Sequence, residues 1–159
     1  MTLQAYPVSK ALTTGATGGI VGALVQGILG SLLTQSVGQE MFFVTIARNL
    51  GMGDSSVVGG WVLHILTGLI VGATFVGLTV QVGVFRLGTT VKAVWMGALA
   101  GVAVWVILLL PTTTLFLPAD LGAPAFLVGS FTLHLLYGTV TVFTAYSLLR
   151  RGTQKAVTA

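Results

Sequence analysis

Charged side chains interrupt this chain so rarely that they cut it into four long apolar runs, about 11–37, 56–85, 91–110 and 125–149. Each run supplies the roughly 20 residues a helix needs to cross the ~30 Å hydrocarbon layer of a bilayer. The runs are too long for strands and lack sustained alternation, so helices and not strands are expected. Only 6% of the residues are charged. A soluble domain carries roughly 25%, so this chain cannot cover a water-facing surface and must face lipid. The sequence therefore predicts an all-α, polytopic membrane protein of one domain, with four transmembrane helices arranged as two helical hairpins. The first run exceeds the apolar stretch of a signal peptide and is expected to be a retained span.

Counting charges on alternate sides predicts the orientation. Lys10, Arg86, Lys92, Arg150, Arg151 and Lys155 fall on the side of the termini, with no acid. Arg48 falls on the other side, with Glu40, Asp54 and Asp120. Basic residues concentrate on cytoplasmic loops, so both termini are expected in the cytoplasm and the membrane is expected to be the plasma (cytoplasmic) membrane. The net charge of +4 reads as this orientation signal, with no nucleic acid among the partners. There is no cysteine, which excludes disulfides, thiolate metal sites and a cysteine nucleophile.

The segments between the spans carry their own signals. "EMFFVTIARNLGMGD" puts Phe43, Ile46, Ala47 and Leu50 on one helical face, as expected of a connecting helix that extends the first span or lies in the interface. "PTTTLFLPADLGAP" is a proline-punctuated turn expected to end the third helix at Pro111 and to turn Phe116 and Leu117 toward lipid or a partner. Pro124 suits the first turn of the fourth helix. Residues 150–159 are expected to form a short, mobile, basic cytoplasmic tail. Trp61, Phe126 and Phe131, and at the opposite end Phe85, Trp95 and Tyr146, are expected as aromatic belts.

Two stretches nearly repeat each other, "VGGWVLHILTG" from Val58 and "VGSFTLHLLYG" from Val128, each holding one of the two histidines. A fainter match, "GAL" at Gly22 and again at Gly97, extends the repeat to the first and third spans. Two hairpins of the same orientation follow, relatable by a pseudo-twofold axis along the membrane normal. Small residues recur at four-residue spacing: Gly15 and Gly19, Gly18 and Gly22, Gly68 and Gly72, Gly97 and Gly101. That spacing lets neighbouring backbones approach closely, with Gly138 extending the face of the fourth helix.

Gly60, His64, Gly68 and Gly72 share a helical face, as do Ser130, His134 and Gly138. Both histidines thus point toward protein, as intramembrane polar groups should. Gln26 on the first span, with Thr67 and Tyr137 nearby, completes a predicted polar layer in the half of the bundle away from the termini. Three readings of His64 and His134 stand side by side. They tie helices together by hydrogen bonds; they bind haem axially or share a metal; or they mark a proton or substrate path. Two histidines without carboxylates or thiols form a poor metal cage, so no cofactor is the leading expectation.

The runs "GWVLHILTG" and "FTLHLLYG" resemble a His-x3-Gly helix signature of small four-helix membrane proteins. That resemblance implies a four-helix membrane fold and carries over no catalytic residue. No carboxylate pair, catalytic triad or phosphate-binding loop is present, and no catalytic residue is assigned. With tiny loops and abundant small-residue faces, the leading functional expectation is a non-catalytic accessory subunit of a larger respiratory or monooxygenase-type membrane complex, partnered by lipid and by other subunits or copies of itself. A bis-histidine haem or metal protein and a small transporter or channel are the alternatives.

Overall fold

The computed structural model describes the backbone of residues 6–157 and the side chains of residues 6–151. Five helices account for most of it: α1 Val8–Ser36, α2 Phe42–Asn49, α3 Ser56–Gln81, α4 Thr90–Phe116 and α5 Pro124–Val157. No strand occurs among the described residues. Four helical segments are long and apolar enough to cross a membrane. Their outer faces carry large apolar side chains in the open, such as Leu32, Ile70, Leu78 and Ile107, each at least 60% exposed. Such faces suit lipid and not water.

Helix ends follow from local chemistry. The Thr89 hydroxyl caps α4 by accepting the Lys92 backbone N–H at 3.2 Å. Gly38, at φ +67°, supplies the left-handed conformation that stops α1. Proline at the start of α5 leaves no backbone N–H wasted.

The third span does not stop at Pro111. Residues Trp105–Leu109 widen into one π-helical stretch, and the helix then continues to Phe116. In a regular α-helix the proline ring would collide with the carbonyl four residues back, at Ile107. Ile107 lies inside the widened stretch, so the π-turn absorbs the proline without ending the helix. The helix of the fourth span runs on into the basic tail to Val157, and the tail's side chains beyond Arg151 lie outside the described residues.

The packing order is α3 against α1, α1 against α5, and α5 against α4, with α3 touching α5 lightly. Each of the three main seams is built on glycine. Gly15 and Gly19 of α1 meet the backbone of Gly72 and Gly68 on α3. Gly18 and Gly22, on another face of α1, meet Thr141 and Tyr137 of α5. Gly97 and Gly101 of α4 meet Gly138 and the His134 carbonyl of α5. A methyl group at most of these positions would fall on a neighbouring backbone. In lipid, where no hydrophobic force drives helices together, that close approach supplies the packing attraction.

Within each hairpin, Gly68 and Gly138 pack on the preceding long helix. Between hairpins this likeness ends. Gly22 and Gly97, the matched "GAL" glycines, both face α5. The α1–α5 seam has no counterpart of like extent between α4 and α3 among the described residues. The expected pseudo-twofold arrangement is therefore replaced by a chain of packed helices with α3 and α4 at its ends.

The buried core lies toward the termini. Leu87, Ala93, Met96, Ala100, Val142 and Tyr146 form one cluster, and Ala11, Val76, Val80, Ala145 and Leu149 another. Tyr146 is thus a core residue and not part of an aromatic belt, its hydroxyl accepting from Arg150 at 3.1 Å. Trp95 and Phe85 do lie exposed.

Candidate functional site

Toward the connecting loops the packing opens. Helices α1 and α5 touch through Gly18 and Gly22, but above Gln26 they enclose a cavity of about 530 Å³. Gly30 and Gly129 at its walls withhold side chains that would enter it, while Gly27 makes room for the Trp61 ring, which a Cβ there would strike. Its far wall is α2, whose placement the sequence left open. This short helix does not extend α1. It folds back onto α3, burying Phe43, Val44 and Ala47. Leu50, which shares a helical face with Phe43 and Ala47, is 52% exposed at the end of the helix. The close approach is made at Gly60, where a Cβ would strike the Phe43 carbonyl and Val44.

The mouth of the cavity is braced by polar contacts. Asn49 of α2 donates to the Phe116 carbonyl at 3.1 Å, tying α2 to the end of α4. Arg48 pairs with Glu40 on the rim, and Thr45 donates to the same carboxylate at 3.1 Å. Asp120 also lines the cavity. Leu117, expected to turn toward lipid or a partner, turns into the cavity as well.

Both histidines reach this space. His64 lies about 12 Å, and His134 and Gln26 each about 15 Å, along their helices from the loop-side ends, by helical rise. The Nε2–H of His64 donates to the Ala23 carbonyl of α1 at 3.0 Å. Its ring stacks on Phe43 at 4.5 Å between centroids, with Trp61 edge-on at 6.1 Å. The Nδ1–H of His134 donates to the Ser130 carbonyl one turn back at 2.7 Å; the Gln26 amide lies 3.2 Å from the same nitrogen, and with that nitrogen protonated the amide can pair with it only by turning its oxygen toward it. Because a carbonyl oxygen can only accept, these contacts fix the proton on Nε2 of His64 and on Nδ1 of His134. A neutral ring then keeps its other nitrogen as an acceptor. Matched in sequence, the histidines are not matched in space. His64 engages α1 within its own hairpin, whereas His134 crosses to α1 from the other hairpin.

The remaining polar-layer residues divide. Tyr137 is buried, and its hydroxyl donates to the Gly68 carbonyl at 2.9 Å, a strut from α5 to α3 beneath the cavity. Thr67 is corrected: it is exposed on the outside of α3, because the inner face runs through Gly60, His64, Gly68 and Gly72 and Thr67 falls beside it. Ser130 and Trp105 join instead, the indole N–H donating to the Ser130 hydroxyl at 3.0 Å. Among the described residues, no group of three His, Cys, Asp or Glu is placed to hold a metal ion.

The small-residue faces are occupied. Gly18 and Gly22, Gly68 and Gly72, Gly97 and Gly101, and Gly138 all pack against this chain's own helices. Comparison with family models, with curated proteins and with solved structures gave no match.

Proposed function

We propose that this chain is an integral-membrane binding protein whose loop-side cavity holds a small, mainly apolar molecule bearing one polar group. The observation that carries this reading is the convergence of His64, His134 and Gln26, from three helices, on one mainly apolar cavity with Glu40 and Asp120 in its lining. Its volume of about 530 Å³ falls within the roughly 300–1,000 Å³ of small-molecule sites, which likewise combine apolar walls with a few placed polar groups. The charge distribution supports cytoplasmic termini, so the cavity opens on the opposite side of the membrane and fills from there. An accessory-subunit role, expected from tiny loops, the lack of a reaction centre and small-residue faces suited to docking, is the second reading. Those faces are filled within the chain, and the cavity carries the first reading.

Gly129→Leu supplies the test. Gly129 lines the cavity, and a Cβ there meets no atom within 4 Å, so the larger side chain grows into empty space. The full chain, released gently from its native membrane, is expected to carry a small molecule detectable by native mass spectrometry, and Gly129→Leu to lose it while remaining folded. Equal retention by both forms would refute the reading.

A further inference from the structure

Resting on that binding reading, we infer that the cavity's ligand is an organic ammonium cation with an aromatic or alkyl body. Three independent features of the lining select this chemistry. The first is charge. Two carboxylates, Glu40 and Asp120, line the cavity, and no lysine or arginine does. Arg48 answers Glu40 from outside the lining, whereas Asp120 has no ion-pair partner among the described residues. An anionic ligand would meet uncompensated negative charge at the mouth; a cation would meet attraction.

The second feature is the direction of the hydrogen-bonding groups. Both imidazole N–H groups are spent on backbone carbonyls. What the rings keep for a ligand are acceptors, Nδ1 of His64 and Nε2 of His134. The Ser130 hydroxyl donates to the Leu127 carbonyl at 3.2 Å, so its proton is spent too. These acceptors fit the N–H groups of an ammonium, and the side-chain amides of Gln26 and Gln39, which also line the cavity, are neutral and can present their oxygens to the same cation.

The third feature is aromatic. Phe42, Phe43 and Phe126 line the cavity, with Phe42 and Phe126 facing each other at 6.2 Å between centroids across α2 and α5. Ring faces attract a desolvated cation and pack the apolar body of an amine equally well.

Three probes of one shape separate the possibilities: phenylbutylamine, phenylbutanol and phenylbutyrate. Binding of each is measured by calorimetry to the full chain in nanodiscs of zwitterionic lipid, with empty nanodiscs subtracted. The amine is expected to bind at least about tenfold more tightly than the carboxylate and more tightly than the alcohol, and Asp120→Asn to weaken the amine about fivefold while leaving the alcohol unchanged. Asp120 lies in a half-exposed turn, so this substitution does not touch the packed seams. Amine and alcohol binding alike, in wild type and in Asp120→Asn, would overturn the cation inference and leave the cavity reading standing. No saturable binding of any probe would overturn both.

Discussion

The side-chain amide of Gln26 and the ring of His134, separated by 108 residues of chain, meet at 3.2 Å where α1 and α5 begin to part. On one side of that contact the helices touch backbone to backbone at Gly22; on the other they enclose the cavity. The pair marks the floor of the site and the top of the glycine seam.

The seam below it should tolerate no methyl group. A Cβ at Gly19 would strike the Gly68 carbonyl group, and both partners are backbone. Gly19→Ala is expected to destabilise the fold by about 1–3 kcal/mol, the usual cost of overpacking. Gly129→Ala, which meets open space, is expected to be neutral or mildly stabilising. Unfolding of both variants in mixed micelles checks the contrast; equal stabilities would contradict the packing.

The Tyr137 strut should matter less. Tyr137→Phe removes one hydroxyl donating to Gly68, and Gly68 keeps its place in the helix. Interhelical hydrogen bonds in membranes average about 0.6 kcal/mol, with about 1.7 the largest values measured. A loss in that range, smaller than that of Gly19→Ala, is expected from the same unfolding titration. No loss at all would mean the hydroxyl finds an equal partner elsewhere.

Topology can be read directly, because the chain has no cysteine to remove. Asp120→Cys is expected to react with a membrane-impermeant maleimide applied to intact cells. Val84→Cys, in the turn at the opposite end and 77% exposed, is expected to react only after permeabilisation. The reverse pattern would turn the cavity toward the cytoplasm.

These features were not equally legible in the sequence. Span number and helical class followed from charge spacing alone, since burying backbone in lipid leaves little choice but helices. Glycines at four-residue intervals identified the seams, but not which helix each would meet. Gly22 and Gly97 look equivalent in sequence, and only three-dimensional packing sends both to α5. His64 and His134 were visible as paired polar groups, yet their convergence on one segment of α1 depends on that same packing. The cavity itself left almost no signal. It arises from what Gly30 and Gly129 lack, and from α2 folding back at Gly60, a contact that no periodicity encodes. Pro111 misled for a local reason: a proline stops a regular helix, and the π-turn before it is a backbone choice invisible in residue type.

The most direct test of the cavity is the reactivity of a thiol inside it. Leu133 lines the site, whereas Leu78 projects from α3 toward lipid, 62% exposed. A thiol reacts as its thiolate, which needs water. With a small, charged methanethiosulfonate added from the loop side, Leu133→Cys is expected to react readily and Leu78→Cys to stay inert. If Leu133→Cys reacted no faster than Leu78→Cys, the cavity would be closed to water and the binding account would fail.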